Sequence, residues 1–253
     1  MSRTRKLASI YVRIARTYWS WAPTLLLLAL IVFLPLGLLD AISTKLDAES
    51  FELDSGIKIA ALLAAIGALT ATSLLGEVFY SGAIAISLTH PEHERPPPLR
   101  EIARRIDYRR LIAVDLVYVA IVLVGLLLLF VPGVLAFVWF GLAGPVVEIE
   151  KRSVGGALRR SASLIRGSFW VVALVLIPIE IVGDVVGELL ASLVHDVLGH
   201  TFVATWLADA VANAFLTPIF AVAAVLLTLD LIAEKDGSGP RLNPAPEPAP
   251  APA

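Results

Sequence analysis

Acidic side chains recur at a helical spacing within an apolar stretch of the chain. Glu180, Asp184 and Glu188 are four residues apart, so a helix presents them as one stripe about 12 Å long at 1.5 Å per residue. Gly183 and Gly187 lie on an adjoining face, where they allow another helix to approach closely. Such carboxylates could line a wet path that binds a cation or a proton. In the alternative interpretation, they face external water where the helix emerges from a membrane.

Two further carboxylates interrupt apolar segments elsewhere in the chain. Ionisable groups in such segments are costly to bury, and they are functional candidates by default. Asp184 discriminates best between the two interpretations, because it is central in the stripe and we expect it to lie at membrane depth. The candidate intramembrane polar residues are Glu77, Asp115, Glu180, Asp184 and Glu188.

Basic side chains gather where apolar residues follow a helical periodicity. Between 154 and 165 an apolar stripe stands against Arg159, Arg160 and Arg166. Ser153 is a predicted N-cap of this helix, and Gly167 a predicted stop. The pattern predicts an amphipathic helix with one basic face.

The same pattern recurs at 1–21 and at 99–106. A helix with an apolar and a basic face lies in the membrane interface, where each basic residue near anionic lipid contributes about 1 kcal/mol. Alternatively, these residues only determine topology, or they bind a cytoplasmic partner or a nucleotide, although no glycine-rich phosphate loop occurs. The candidate lipid-facing basic residues are Arg159, Arg160, Arg166, Arg104 and Arg105.

Two carboxylates precede the basic helix directly. Glu148 and Glu150 end an apolar segment just before Lys151 and Arg152. We expect them to pair with arginines of the basic helix and so fix that helix on the rest of the protein. A polar functional site is the alternative.

The sequence offers little for catalysis. It contains no cysteine, so thiolate chemistry and disulfides are excluded. No G-x-S-x-G elbow is present, and the histidines do not form a set of clustered ligands. We therefore expect no enzymatic activity, no cofactor and no metal.

The amino-acid composition indicates whether this chain is surrounded by water or by lipid. Hydrophobic residues make up 58% and charged residues only 17%, where soluble domains have about 25% charged residues. A soluble fold could not bury that much apolar surface, so part of it must face lipid. The net charge of −2 argues against a nucleic-acid partner.

Uncharged runs predict six transmembrane helices. The long run between Asp115 and Glu148 carries Pro132-Gly133 near its middle, which favours a helical hairpin there. The predicted spans are about 22–39, 57–88, 111–131, 134–150, 169–190 and 206–232. The fold class is therefore an all-α, polytopic membrane bundle with cytoplasmic amphipathic helices.

Positive charge gives the bundle an orientation. With six spans, 18 of the 20 Lys and Arg residues fall on one side, and Lys45 and Lys58 are the exceptions. Basic residues collect on the cytoplasmic side of membrane proteins. Both termini are therefore predicted to be cytoplasmic.

Several short motifs resemble a known family of bacterial membrane proteins. They are VPG at 131–133, LAGPVVE at 142–148, ALRRS at 157–161, LIRGSFW at 164–170, LTP at 216–218 and LDL at 229–231. Their order is similar to that in the glycerophosphoryl diester phosphodiesterase membrane-domain family. Trp139, where that family often has arginine, and Thr228-Leu229, in place of an aromatic pair, depart from its pattern. The resemblance implies a six-helix bundle in the bacterial cytoplasmic membrane, with an amphipathic helix between spans four and five.

The segments combine into three predicted regions. Residues 1–21 form a cytoplasmic amphipathic helix, 22–236 the transmembrane domain, and 237–253 a disordered Pro/Ala-rich tail. We expect no phosphodiesterase catalytic domain despite the family name. The favoured function is a non-enzymatic accessory, scaffolding or regulatory protein. The alternative is a small-solute or ion transporter that uses the intramembrane carboxylates.

The charge distribution generates a topology prediction. Reporter fusions after Arg109, Arg166 and Lys235 should all report a cytoplasmic location, and fusions within 41–56 and 196–204 an external one. Paired alkaline phosphatase and fluorescent protein reporters measure both outcomes. An external signal after Arg166 would contradict the six-span topology.

Overall fold

Helices make up nearly all of the chain that the computed structural model describes, which is residues 3–43, 76–89, 99–199 and 201–237. No strand occurs in these ranges, so this part of the chain is all-α, as predicted. The helices are α1 (Arg3–Ser43), α2 (Glu77–Thr89), α3 (Leu99–Arg105), α4 (Tyr108–Leu128), α5 (Phe130–Phe140), α6 (Ala143–Glu150), α7 (Val154–Ile165), α8 (Phe169–Leu198) and α9 (Phe202–Asp236).

Among the described residues, five helical stretches are long and apolar enough to cross a membrane, since a crossing takes about 20 apolar residues. They are Leu7–Gly37, Tyr108–Leu128, Phe130–Glu150, Phe169–Leu198 and Phe202–Asp236. The protein is therefore membrane-embedded. Of the predicted second span, 57–88, only α2 and Gly76 fall within the described residues, and 57–75 lies outside them, as does the predicted tail beyond Gly237.

Helix α9 lies at the centre of the described bundle, where α1, α8 and α2 all pack against it. Every residue from 220 to 229 is buried. Alanines at 221, 223 and 224 let neighbouring helices approach closely. The hydroxyl of Thr228 donates to the carbonyl oxygen of Ala224 at 2.7 Å, so this buried polar group is satisfied within the helix.

The N-terminal segment differs from its prediction. The predicted boundary at residue 21 falls inside α1, which is one continuous helix of 41 residues. Ile10 and Ile14, which belong to the predicted apolar stripe, are buried in the protein core. The hydroxyl of Tyr11 donates to the carbonyl oxygen of Leu174 at 2.6 Å. From residue 3 onward, this segment is thus the first part of a bundle helix, because its apolar face packs on protein.

The predicted hairpin is present, but its break comes earlier. The backbone turns at Leu129, whose extended conformation separates α4 from α5. Pro132 lies in the first turn of α5, where a missing N–H costs nothing because it has no partner within the helix. A Cβ on Gly125 would come within 2.8 Å of the backbone of Gly133, so these glycines let the two helices meet.

Helices α8 and α9 extend beyond their predicted ends. The predicted span 169–190 lies within α8, and the predicted span 206–232 lies within α9, and each helix is several residues longer than its span. An apolar run marks only the part of a helix that lipid surrounds, so it underestimates the length of the helix. Pro178 and Pro218 both lie inside these helices. Bundle neighbours make such prolines tolerable.

A glycine contact brings α6 against α2. A Cβ built on Gly144 would lie 2.0 Å from the carbonyl oxygen of Val78, far inside van der Waals distance. On the facing helix, a Cβ on Gly82 would lie 3.0 Å from the carbonyl oxygen of Gly144. The position of α2 in the bundle therefore depends on the absence of side chains at these two residues.

This contact generates a stability prediction. We expect Gly144→Ala to destabilise the folded protein by about 1–3 kcal/mol, because the added methyl group forces α2 and α6 apart. Thermal unfolding of the protein in nanodiscs, followed by circular dichroism, measures the loss. Gly155→Ala is the matched control, since its new Cβ would lie no closer than 3.7 Å to Arg159. Equal midpoints for the two variants would refute a tight α2–α6 contact.

Candidate functional site

A cavity of about 260 Å³ opens between α1, α2, α8 and α9. Its acidic lining residues are Glu180, Asp184 and Glu188 from α8 and Glu77 from α2. The predicted stripe thus faces one common space, and a carboxylate from a second helix joins it. None of the described residues that line the cavity is basic.

The acidic stripe lies in the middle part of α8, well beyond Trp170. The ring of Trp170 is 72% exposed near the start of α8, where interfacial tryptophans typically lie. At 1.5 Å per residue, Glu180 is about 15 Å and Glu188 about 27 Å further along the helix, against a hydrocarbon core of about 30 Å. Glu180 is half-buried, whereas Asp184 and Glu188 are exposed. Glu180 is therefore the least exposed carboxylate of the stripe, and the membrane depth expected of Asp184 stays a prediction.

Glu77 is the most enclosed of the four carboxylates, with an exposed fraction of 5%. It lies close enough to Glu180 for the two carboxyl groups to interact electrostatically. Its second oxygen, Oε2, is buried and meets no donor among the described residues. The buried hydroxyl of Tyr118, close enough to interact electrostatically with Glu77, also has no described partner.

Asp115 has a different position from the other predicted carboxylates. It does not line the acidic cavity but accepts hydrogen bonds at the beginning of α2. Its Oδ2 accepts a hydrogen bond from the N–H of Gly76 at 2.8 Å, and its Oδ1 accepts one from the N–H of Val78 at 3.2 Å. Because the first N–H groups of a helix have no partner within that helix, Asp115 supplies the acceptors that this buried helix start needs.

Several residues that line the cavity were not predicted as site residues from the sequence. Asn213 and Thr217 line the cavity from α9, and Phe33 and Phe220 give it an aromatic wall. The four-residue spacing of Asn213 and Thr217 within an apolar segment is a signal that could have identified that polar face. In the part of the chain that the structure describes, no group of three or more His, Asp or Glu residues is arranged to hold a metal ion.

Helix α7 has the amphipathic character that the sequence predicts. Its apolar residues Leu158, Leu164 and Ile165 are buried. The hydroxyl oxygen of Ser153 accepts the N–H of Gly156 at 3.4 Å, and Gly167 follows the helix with φ of +94°. Ser153 is thus the N-cap and Gly167 the stop, both as predicted.

One arginine of this helix is turned inward. Nε of Arg160 donates to Glu150 at 2.9 Å, and its Nη2 donates to Asp236 at the end of α9. Partial burial opposes the charge of Arg160, but the hydrogen bonds to Glu150 and Asp236 outweigh it and raise the pKa of the guanidinium group. The structure thus brings the predicted pair Glu150 and Arg160 together, and Arg160 faces protein and not lipid.

Glu148 has other partners than the predicted arginines. One of its carboxylate oxygens accepts the N–H of Asp107 at 2.9 Å, and the other accepts Nζ of Lys151 at 2.5 Å. Its side chain is fully buried, so these bonds compensate the loss of hydration. Glu148 therefore ties the end of α6 to the beginning of α4.

The remaining candidate lipid-facing arginines differ in their surroundings. Arg105 pairs with Glu101, one helical turn earlier on α3, whereas Arg104 is exposed. Arg159 and Arg166 are also exposed, and both line a groove beside α7. Within the described residues, neither of these two arginines forms an ion pair.

No family model, curated protein or solved structure matches this chain. Its fold and its cavity define it as a helical membrane protein with an acidic internal site.

The capping of α2 by Asp115 generates a second stability prediction. Asp115→Asn keeps the size of the side chain but places an NH₂ group against a backbone N–H, so we expect a loss of about 1–3 kcal/mol. Asp107→Asn is the control, because Asp107 also caps a helix but is partly exposed, and Asn caps equally well. Unfolding in nanodiscs measures both. If the free energy of unfolding of Asp115→Asn equals that of the wild type, the hydrogen bonds of Asp115 do not stabilise the start of α2.

Proposed function

We propose that this membrane protein is a carrier that binds a small organic cation in the acidic cavity and exchanges it for protons. The observation that carries the proposal is the convergence of four carboxyl groups from two helices on one cavity whose described lining contains no Lys or Arg. Glu77, the innermost of them, has an oxygen with no described donor.

Charge balance supports this function. Like charges repel strongly where the effective dielectric constant is low, and carboxylates at membrane depth are costly. Glu77 interacts electrostatically with Glu180 and Asp184, so these groups cannot all be ionised unless a counter-ion is present. Either protons or an external cation must neutralise the cavity. Competition between the two for the same carboxyl groups is the basis of exchange.

The graded exposure of the carboxylates supports a path for the cation. Glu188 and Asp184 are exposed, Glu180 is half-buried, and Glu77 is almost fully enclosed. A cation that enters from the side of Glu188 thus meets successive carboxyl groups one helical turn apart, until it reaches Glu77. Release on the other side requires a conformational change of the bundle, as in other carriers.

The other walls of the cavity favour an organic cation. Phe33 and Phe220 offer apolar and aromatic surface, and cations bind to aromatic faces when they are desolvated. Asn213 and Thr217 add polar groups on α9. An ammonium ion with short alkyl groups uses both kinds of surface.

We also propose the membrane topology that the charges predict. The chain then crosses the bacterial cytoplasmic membrane six times, with both termini cytoplasmic. The cavity opens toward the external side in this orientation, because α8 starts beside the basic helix α7 and its acidic stripe lies further along. An accessory or scaffolding role, without enzymatic activity, stays a prediction that no geometry of the described residues favours over transport.

A transport assay tests the proposed function. Proteoliposomes that contain the wild-type protein should take up radiolabelled tetraethylammonium when a pH gradient is imposed, with protons leaving in exchange. We expect Asp184→Asn and Glu180→Gln each to reduce uptake at least about tenfold, which corresponds to about 1.4 kcal/mol, because each removes a negative charge that attracts the cation.

Asp196→Asn is the matched control, since Asp196 lies on the same helix but does not line the cavity. It should take up the cation like the wild type. Circular dichroism verifies that all variants are folded. Equal uptake by wild type, Asp184→Asn and protein-free liposomes would overturn the proposal.

A further inference from the structure

A groove of about 510 Å³ lies between α4, α5 and α7, on the side of the molecule where the basic helix is. Ile121 of α4, Phe140 of α5 and Leu158 of α7 form its apolar wall. Arg159, Ser163 and Arg166 line the same groove from the basic helix. Apolar and cationic surface are thus combined in one space.

The two arginines of this groove are available to a ligand. Nε of Arg159 donates to the carbonyl oxygen of Gly155 at 3.1 Å, which leaves its terminal amino groups without a described partner. The guanidinium group of Arg166 makes no ion pair with any described carboxylate. By contrast, Arg160 on the same helix is occupied by Glu150 and Asp236.

Helix α9 fixes the main chain that carries these arginines. Nζ of Lys235 donates to the carbonyl oxygens of Ser163 and Arg166, the latter at 3.0 Å. A lysine that binds the last carbonyl groups of a helix stabilises that helix end. The positions of Arg159 and Arg166 are therefore preorganised by the bundle.

We infer that this groove is a binding site for one anionic phospholipid. Guanidinium groups recognise phosphate oxygens through charge-assisted hydrogen bonds. Arg159 and Arg166 bind the phosphate diester, Ser163 can donate to it, and an acyl chain lies along Ile121, Phe140 and Leu158.

The level of the groove in the membrane supports a lipid over a soluble anion. Trp170, four residues after Arg166 and near the start of α8, is 72% exposed, and the ring of its neighbour Phe169 lies beside that of Trp139 with centroids 6.1 Å apart. Exposed aromatic side chains mark the headgroup level. A phosphate held there comes with its acyl chains, which the apolar wall of the groove accommodates. The inference is independent of the proposed transport.

Native mass spectrometry of the full-length protein in detergent tests this inference. Titration with phosphatidylglycerol should show one lipid that binds at least about fivefold more tightly than phosphatidylcholine. We expect Arg159→Gln/Arg166→Gln to lose this preference, and Arg159→Lys/Arg166→Lys to keep most of it, because the charges remain. Circular dichroism verifies that each variant is folded.

Two controls separate a site from general surface charge. Arg100→Gln/Arg109→Gln removes the same number of charges from exposed positions outside the groove and should leave phosphatidylglycerol binding unchanged. Inorganic phosphate should not displace the lipid, since it cannot use the apolar wall. Equal losses in the two double glutamine variants, or displacement by inorganic phosphate, would overturn the inference.

Discussion

The arrangement of the acidic cavity depends on how the buried start of α2 is satisfied. The first N–H groups of a helix need acceptors, and inside a membrane protein water cannot supply them. Asp115 provides both acceptors, for Gly76 and Val78, and the residue between these two is Glu77. The glycine contact at Gly144 then allows α2 to lie close to α6. The cap and the contact together hold Glu77 beside Glu180 in the acidic cavity.

Helix α9 links the two charged regions of the molecule. Near its middle, Asn213, Thr217 and Phe220 form one wall of the acidic cavity. At its end, Lys235 and Asp236 hold the basic helix α7 through the carbonyl groups of Ser163 and Arg166 and through Arg160. A tilt of α9 would therefore move both the cavity wall and the helix that carries Arg159 and Arg166. Lipid bound at α7 would in turn favour one position of α9.

The sequence contains the local features of this structure but not its long-range partners. The four-residue spacing of Glu180, Asp184 and Glu188 predicts a shared helix face, and that face does line one cavity. Glu77 joins them only through packing of helices that are distant in sequence. Likewise, Arg160 looks lipid-facing in an amphipathic pattern, whereas Asp236, 76 residues away, turns it inward. The hairpin break fell at Leu129 and not at Pro132-Gly133, because a helix tolerates proline in its first turn.

The most direct test of the central claim is carbodiimide labelling of the full-length protein in nanodiscs, with the labelled residue located by mass spectrometry. Carbodiimides react with protonated carboxyl groups in apolar surroundings. If Glu77 and Glu180 share a cavity that takes up a proton or a cation, one of them will be labelled, and tetraethylammonium will protect it. Labelling that is absent from both residues, or that proceeds equally with and without tetraethylammonium, would contradict a shared cation site.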